Sequence, residues 1–256
     1  MKIGIIGYGN MGESFAKALQ KHGEVLVYDV KEERRQKAMS DGFGVARGLQ
    51  FLAEESQWLL LAVKPKDAPE VLKSLKGRLE EKILVSIVAG LSLAKMEEFC
   101  KSSRLIRLMP NINALVGRSA TACAFGKLKE EEKRTFFELF SNCGSLYELE
   151  EDMFDAFTAL AGSGPAFVFK FVHALALAGV REGFPYEMAK SLAIDVVFGS
   201  CELLRQKGGS PEDWVVKVAS PGGTTIEGIK VLEEEGFTGM VMECVQRTSE
   251  KAKKLL

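Results

Sequence analysis

The chain has 256 residues, of which 46% are hydrophobic and 27% are charged, so it is long and apolar enough to bury a core. Its formal net charge of −1 offers no general attraction to nucleic acid or anionic lipid, and neither is expected as a partner. No continuous apolar run reaches the ~20 residues that span a bilayer. Five scattered cysteines without a Cys-x-x-Cys pair argue against disulfides and a metal site. These features predict a cytoplasmic protein.

The chain opens with a strand, a glycine-rich turn, a helix and a second strand. Lys2 to Ile6 reads as a buried strand, the pattern G-x-G-x-x-G follows it directly, and a helix is predicted from Glu13 to Lys21. In this context Gly7 makes the turn tight, Gly9 lets a pyrophosphate approach the backbone, and Gly12 lets the helix pack on the strand. The pattern therefore predicts a dinucleotide site, with a turn that binds nothing as the alternative. The expected cofactor contacts are Gly7, Tyr8, Gly9, Asn10, Met11 and Gly12.

The second strand ends in an acid, Asp29. An acid at this place is expected to accept hydrogen bonds from a ribose diol, which favours NADH. However, Lys31, Arg34 and Arg35 follow closely and could meet the 2′-phosphate of NADPH, or face solvent on a helix that starts near Glu32. The predicted cofactor is therefore NADH or NADPH, with NADH favoured by Asp29.

Strands and helices continue to alternate up to about residue 150. We predict strands at Trp58–Val63, Ile83–Val88, Arg104–Met109, Ser119–Phe125 and Ser145–Leu149, and helices at Leu93–Cys100 and Lys129–Asn142. Because ligands bind at the carboxyl ends of strands in open α/β sheets, Lys64 and Asn111 are candidates for cofactor contact. The alternatives are an exposed loop lysine and an amide that caps a turn. Residues 1–150 are predicted to form a Rossmann-type doubly wound sheet.

Helical patterns replace strand patterns after residue 150, beginning with a helix predicted at Asp152–Ala161, so residues 151–256 are predicted to form an all-α domain. Two long helices, Ala166–Glu182 and Tyr186–Lys207, are apolar on more than one face. A helix of this kind must be buried, and about 100 residues cannot cover both, so we expect a subunit interface. His173 in the first of these helices is expected to be a buried core histidine.

A second glycine-rich turn lies between Ala219 and Gly228. Pro221 and two glycines lead into Thr224 and Thr225, which open a helix predicted to run from Ile226 to Glu235. The free backbone N–H groups at the positive end of a helix can bind a small carboxylate or phosphate. The alternative is a Pro-Gly loop with a threonine N-cap.

Five stretches of the sequence resemble those of pyrroline-5-carboxylate reductases, the enzymes that make proline. They are Gly4–Gly12, Ala62–Pro65, Arg107–Asn111, Ala161–Phe167 and Ser220–Thr225. The likeness spans essentially the whole chain, and the last two stretches are the most specific. The resemblance implies a Rossmann domain followed by an all-α dimerisation domain, an active site at the dimer interface, and dimers that can assemble into decamers.

The resemblance also implies an activity and a set of site residues. The activity is hydride transfer from NAD(P)H to the cyclic imine of 1-pyrroline-5-carboxylate, which gives L-proline. The Thr225 hydroxyl would be the catalytic group and would face the ring nitrogen without acting as a true general acid, because it lacks a pKa near 7. The implied substrate contacts are Ser220, Gly223, Thr224 and Thr225, and the implied cofactor contacts beyond the first turn and Asp29 are Ala62, Lys64, Pro65, Ala89 and Asn111.

Two departures from the family pattern and two alternative functions remain at this point. Many members have Ser, Thr, Arg or Asn in place of Asp29, and many have Asn-Thr-Pro where this chain has Asn111-Ile112-Asn113. β-Hydroxyacid dehydrogenases share this architecture and use a lysine followed four residues later by an asparagine. Lys170 falls near that spacing, but position 174 is alanine. A non-catalytic dinucleotide-binding regulator is the other alternative. The second predicted anion-binding turn, at Ser220–Thr225, argues against it, because a regulator does not need a second anion site.

Overall fold

The computed structural model describes residues 1–100 and 104–254, and its strands form an eight-stranded sheet in the order β3-β2-β1-β4-β5-β6-β7-β8. The strands are β1 Lys2–Ile6, β2 Glu24–Tyr28, β3 Gly44–Val45, β4 Trp58–Leu61, β5 Ile83–Ser86, β6 Leu105–Met109, β7 Ser119–Phe125 and β8 Gly144–Glu148. Neighbouring strands are parallel except β6 and β7, which are antiparallel. The strand order reverses between β1 and β4, the place where such sheets bind ligands.

Helices connect these strands and make up the C-terminal part of the chain. They are α1 Asn10–Leu19, α2 Glu32–Ser40, α3 Leu49–Glu55, α4 Ala68–Ser74, α5 Leu93–Phe99, α6 Glu130–Phe140, α7 Phe154–Phe157, α8 Gly164–Arg181, α9 Tyr186–Lys207, α10 Pro211–Val218, α11 Thr224–Glu234 and α12 Phe237–Lys253. Short 3₁₀ turns occur at Pro65–Asp67, Ile112–Val116, Ser141–Cys143 and Glu151–Met153, and a π-helical turn occurs at Thr158–Gly162.

The sheet is covered on both faces, which confirms the predicted doubly wound α/β fold. Every residue of β4 and β5 is buried, as expected for parallel strands between two helical layers. One core cluster contains Phe15, Phe136 and Phe140. The other contains Leu52 and Leu72. Each layer therefore buries its own apolar face against the sheet.

Several predicted boundaries were wrong by a few residues. The strand predicted to reach Val63 ends at Leu61, and helix α1 begins at Asn10 because Gly9 already has the extended backbone of an N-cap. The helix predicted at Asp152–Ala161 is instead split into a 3₁₀ turn, the short helix α7 and a π-helical turn. Sequence periodicity does not distinguish these helix types, because they differ by only one residue per hydrogen-bonded ring.

The described residues divide into two compact units. The first unit is Met1–Ser163 together with the residues from Ser249 onward, and the second unit is Gly164–Thr248. The predicted domain boundary at residue 150 falls before this division, beside the 3₁₀ turn at Glu151–Met153, and the predicted C-terminal domain includes residues 255–256, which lie outside the described residues.

The second unit consists of helices α8 to α11 and most of α12. In this unit α8 and α9 pack closely, since a Cβ on Gly179 would lie 2.8 Å from the Cβ of Ala189. Within residues 164–248, all of which are described, the buried residues are Pro165, Ala176, Ala189 and Ala193. His173 is exposed, so its predicted core position was wrong for the single chain. Large apolar side chains of the same helix, including Phe169 and Leu177, are exposed as well.

The helical run Glu151–Arg181 is long and apolar enough to cross a membrane by length and composition alone. It has 31 residues, a mean hydropathy of 1.4 in its most apolar stretch, and only 11% of that stretch buried. The same properties suit a helix that another protein chain covers, because such a helix is also apolar and bare in the isolated subunit.

Candidate functional site

A cavity of about 700 Å³ lies at the carboxyl ends of the central strands in the first unit. Nine residues that the sequence nominated for cofactor contact line it: Gly7, Gly9, Asn10, Met11, Asp29, Ala62, Lys64, Pro65 and Ala89. The other three nominated residues, Tyr8, Gly12 and Asn111, are not among its lining residues. The sheet therefore brings most of the predicted set together in one place.

The three glycines of the first turn have different structural roles. Gly7 has a φ of +99°, and a Cβ there would lie 2.6 Å from the Ala62 carbonyl oxygen. A Cβ on Gly12 would lie 2.0 Å from the Gly7 carbonyl oxygen, so α1 packs against the turn at this point. Gly9 has open space around it and is the N-cap of α1 without a side-chain hydrogen bond. The first N–H groups of α1 are therefore left for an anion.

The Asp29 carboxylate is held in position by two backbone N–H groups. Its Oδ2 accepts from the N–H of Tyr8 at 2.7 Å, and its Oδ1 accepts from the N–H of Lys31 at 2.9 Å. Asp29 is also one of the residues that line the cavity. The first bond also ties the end of β2 to the glycine turn. A carboxylate fixed in this way is well placed to accept hydrogen bonds from a ribose diol.

The three basic residues after Asp29 have separate positions. The Arg35 guanidinium donates to the Asp29 carbonyl at 2.7 Å and to the Val30 carbonyl at 3.0 Å, so it is tied to the backbone. Lys31 and Arg34 instead line the cavity. The same end of the cavity therefore carries one fixed carboxylate and two cations. Of the three residues that the sequence nominated for a 2′-phosphate, these two face the cavity.

The side chain of Tyr8 points away from the cavity into the core. Its ring is buried and meets the ring of Phe43 edge-on, with centroids 5.9 Å apart, and its hydroxyl donates to Oδ2 of Asp41 at 2.8 Å. Burial, followed by the bond to Asp41, raises the pKa of the Tyr8 phenol, so it stays protonated. Tyr8 thus anchors the glycine turn to the core and does not line the cavity.

Asn111, just after β6, is held by hydrogen bonds of both its backbone and its side chain. Its backbone N–H donates to the Ser119 hydroxyl at 3.0 Å, its Oδ1 accepts from the N–H of Asn113 at 3.1 Å, and its Nδ2 donates to the Ala161 carbonyl at 2.9 Å. The residue is only 6% exposed. Its amide is therefore engaged with the surrounding protein in the absence of any ligand.

The sequence interpretation missed the apolar walls of the cavity. They come from separate segments and carry no pattern of their own; they include Leu49, Val63, Val71, Ile87 and Ile112. Only two of them had a local signal, since Val63 lies inside the Ala-Val-Lys-Pro stretch and Ile112 follows Asn111 directly. The rest could be found only once the sheet had placed their segments side by side.

The second glycine-rich turn lies in the second unit and groups the four nominated substrate residues, Ser220, Gly223, Thr224 and Thr225. Gly222 has a φ of +66°, and the N–H of Gly223 donates to the Ser220 carbonyl at 3.0 Å. A Cβ on Gly223 would lie 2.4 Å from the Ser220 hydroxyl oxygen, so that hydroxyl lies directly beside the start of α11.

Helix α11 begins at Thr224, and its N-cap, Gly223, makes no side-chain hydrogen bond. The N–H groups of Thr224 and Thr225 therefore lie in the first turn of an uncapped helix of 11 residues, where an anion is stabilised. Thr224 is exposed and Thr225 is partly buried. This turn can hold a small carboxylate with backbone N–H groups and one hydroxyl.

Comparisons with known proteins agree over the full length of the chain. Residues 151–255 match the family described as pyrroline-5-carboxylate reductase dimerisation, and residues 2–90 match the family described as NADP oxidoreductase, coenzyme F420-dependent. The pyrroline-5-carboxylate reductase of Aquifex aeolicus is 51% identical over 260 residues, which cover 100% of this chain and 97% of that protein. The Pisum sativum enzyme is 34% identical, with 99% and 95% covered.

Solved structures of such enzymes are similar as well. A 1-pyrroline-5-carboxylate reductase from Streptococcus pyogenes has a TM-score of 0.88 and 35% identity, with 99% of this chain and 98% of that chain covered. A Plasmodium falciparum pyrroline carboxylate reductase with NADP bound has a TM-score of 0.88 and 30% identity, with 99% and 97% covered.

Proposed function

The chain belongs to the pyrroline-5-carboxylate reductase family, and we propose that it reduces the cyclic imine of 1-pyrroline-5-carboxylate to L-proline with hydride from a nicotinamide dinucleotide. The observation that carries this proposal is the presence of two uncapped helix N-termini on glycine turns, at Gly9 and Gly223, in a chain that matches 97% of the length of a family member. The helix N-terminus at Gly9 suits a pyrophosphate, and the one at Gly223 suits a carboxylate.

The residues of the cavity fit a nicotinamide dinucleotide. Because residue 9 is glycine, the space beside it stays open, whereas a side chain at this position would fill it. The cavity of about 700 Å³ is large enough for an elongated ligand. The turn from Gly7 to Met11 would hold the pyrophosphate and Asp29 a ribose, while Ala62, Lys64, Pro65 and Ala89 would line the rest. The bound cofactor supplies the hydride, and the protein supplies position and electrostatics.

We propose that NADH is the favoured cofactor and that NADPH is also used. The fixed carboxylate of Asp29 suits a ribose diol and repels a 2′-phosphate, whereas Lys31 and Arg34 offset part of that repulsion. Asp29→Asn should raise kcat/KM for NADPH relative to NADH by about tenfold, the effect of ~1.4 kcal/mol. Arg34→Gln should weaken only NADPH.

Steady-state kinetics with both cofactors test this cofactor assignment. Glu130→Gln is the matched control, because it removes a carboxylate charge from a side chain of α6 that is 81% exposed and lies outside the cavity lining. It should leave the NADPH-to-NADH ratio within about twofold, as expected for a screened surface charge. A wild-type enzyme that strongly prefers NADPH would contradict the assigned role of Asp29.

For the substrate, we propose that the second glycine turn orients the imine against the nicotinamide. The Ser220 hydroxyl and the N–H groups of Thr224 and Thr225 would bind the carboxylate, with Gly223 giving the close approach. The Thr225 hydroxyl would hold the ring nitrogen as it becomes an amine. A protonated cyclic imine is already a good hydride acceptor, so orientation accounts for most of what the protein must provide.

Replacing Thr225 tests its proposed catalytic contact. Thr225→Ala should lower kcat about tenfold, the size of one hydrogen bond of ~1.4 kcal/mol, and leave the Kd for NADH unchanged. Thr225→Ser, which keeps the hydroxyl, should recover most of the rate. An alanine variant with unchanged turnover and substrate KM would remove Thr225 from the mechanism.

A direct assay separates the three functional readings. The protein is mixed with NADH or NADPH and pyrroline-5-carboxylate, and the absorbance of the reduced nicotinamide is followed. Turnover of 3-hydroxyisobutyrate with the oxidised cofactor would instead indicate a β-hydroxyacid dehydrogenase. Cofactor binding without turnover in either assay would favour a regulator.

The match to a dimerisation domain shows that the chain associates with itself, and we propose a homodimer formed through the helices of the second unit. Assembly of dimers into decamers is the larger alternative, and sedimentation velocity distinguishes the two. We further propose a cytoplasmic location with neither nucleic acid nor membrane as a partner, because the net charge of −1 gives no attraction to either.

A further inference from the structure

The carbonyl of Ala161 lies where a helix cannot supply its usual hydrogen-bond donor. In an α-helix this carbonyl would accept from the N–H of residue 165, which is proline and has none. The preceding residues form a π-helical turn in which the N–H of Ser163 donates to the Thr158 carbonyl at 2.8 Å. The side-chain amide of Asn111 instead donates to Ala161 at 2.9 Å, so it replaces the missing helical donor.

The same contact joins the π-helical turn to the wall of the cofactor cavity. Asn111 follows the end of β6 by two residues and is the N-cap of the 3₁₀ turn Ile112–Val116, whose first residue, Ile112, lines the cavity. The turn is also packed closely on the strand end, because a Cβ on Gly162 would lie 3.4 Å from the terminal methyl of Met109. A movement of the turn would therefore be transmitted to the residues beside the cavity.

The amide of Asn111 is suited to this structural contact by its chemistry. It must accept from the N–H of Asn113 and donate to Ala161 at the same time, and only an amide of this length carries both groups. An aspartate has the same shape but no donor when ionised, and it would face the Ala161 carbonyl with a like partial charge. The site therefore demands asparagine for reasons that need no cofactor contact.

We propose that Asn111 is a positioning residue for the hydride transfer: its amide, by holding the Ala161 carbonyl that Pro165 leaves without a donor, fixes the π-helical turn to the segment that carries Ile112, a residue of the cavity wall. This inference rests on the proposed function. It assigns Asn111 an effect on kcat through alignment, whereas a direct cofactor ligand would act chiefly on the Kd.

Two variants and one matched control test the proposal. Asn111→Asp removes the donor and keeps the shape, and Asn111→Ser keeps a group that can accept from Asn113 but cannot reach Ala161. The control is Asn113→Asp, the same chemical change two residues later, at a side chain outside this contact. If the Asn111→Asp variant does not fold, the Asn111→Ser variant still tests the proposal.

Three quantities are measured: kcat with imine and NADH, the Kd for NADH from nicotinamide fluorescence, and amide hydrogen exchange over residues 158–166 in the free protein. We expect kcat to fall at least tenfold, the Kd to change less than threefold, and exchange to quicken at least tenfold in the Asn111 variants. The control should change none of these by more than about twofold.

Two outcomes would overturn the proposal. One is a tenfold or greater rise in the Kd for NADH with unchanged exchange, which would make Asn111 a direct cofactor ligand. The other is unchanged exchange together with unchanged kcat. If the wild-type chain reduced no imine, the proposed function would fail, whereas exchange would still decide whether Asn111 holds the turn.

Discussion

The two units of the chain differ in how far their apolar residues are buried. In the first unit, β4 and β5 are buried along their whole length, and two core clusters fill the space on either side of the sheet. In the second unit, Phe198 is 69% exposed and Phe169 is 61% exposed. The first unit closes its core within one chain. The second presents an apolar surface too large for a free monomer in water.

This difference shows which part of the fold depends on self-association. The buried residues of the second unit are one proline and three alanines, which contribute little apolar area. Its helices must therefore obtain their stabilisation from another copy of the chain, in agreement with the match to a dimerisation family. We expect substitutions in the two units to differ in how their effects depend on protein concentration.

The largest effect is expected from a charge placed on the exposed apolar surface of α9. Phe198→Asp should weaken self-association at least about a thousandfold (~4 kcal/mol), because a symmetric interface would bury two unpaired carboxylates. Sedimentation equilibrium measures the change. Met39→Asp is the matched control, since Met39 is 54% exposed in the first unit, and it should leave association unchanged. A Phe198→Asp protein that remains fully associated would place the interface elsewhere.

Truncation of one leucine in each unit should give losses of different character. Leu61→Ala, at a fully buried position in β4, should lower the free energy of unfolding by ~2–5 kcal/mol at every protein concentration. Leu192→Ala, at a position 44% exposed in the single chain, should cost less in dilute than in concentrated solution. Chemical denaturation over a hundredfold range of concentration tests both. If the loss of unfolding free energy depended equally on protein concentration in the two variants, the proposed distinction between the units would be contradicted.

Two glycine substitutions separate folding from cofactor binding inside the first unit. Gly9→Ala should keep the melting temperature within about 2 °C, since nothing lies within 4 Å of the added carbon, and should raise the Kd for NADH about tenfold by crowding the pyrophosphate. Gly12→Ala should destabilise the fold itself, because its Cβ would meet the Gly7 carbonyl oxygen at 2.0 Å. Calorimetry and fluorescence titration measure the two effects. Normal NADH affinity in Gly9→Ala would argue against a pyrophosphate at that turn.

The smallest effect concerns thiol reactivity, which should also differ between the units. Burial raises the pKa of Cys100 to about 11 and those of Cys123 and Cys143 to about 12, so these thiols carry almost no thiolate at pH 8. Cys201 and Cys244 are exposed in the single chain. A disulfide reagent at pH 8 should label at most these two quickly.

The Phe198→Asp variant extends the thiol test to the interface. Cys201 lies three residues after Phe198 on α9, on the same face of the helix. Its labelling should therefore be faster in the dissociated variant than in the wild type. Rapid labelling of Cys123 or Cys143 in either protein would contradict the closed core of the first unit.

Much of the fold and of the candidate site could be predicted because the signals were local. The pattern from Gly7 to Gly12 needs a strand before it and a helix after it, and the sequence predicts both within the same thirty residues. The boundaries were less accurate, and strand β3 and helices α3, α4, α10 and α12 were not individually predicted, because short elements and helix ends depend on neighbouring backbone as well as on propensity. The buried ring of Tyr8 and the apolar wall at Leu49 and Val71 carried no local signal.

The sequence by itself determined the alternation of strands and helices up to about residue 150, the helical character of the rest, the two glycine turns and the acid after β2, because each depends on residues close together along the chain. Only the tertiary structure decided which of Lys31, Arg34 and Arg35 reach the cavity, and that the amide of Asn111 is bonded to Ala161. The physical reason is that hydrogen bonds and cavity walls join residues far apart in the chain, and a linear pattern holds no record of which distant groups will meet.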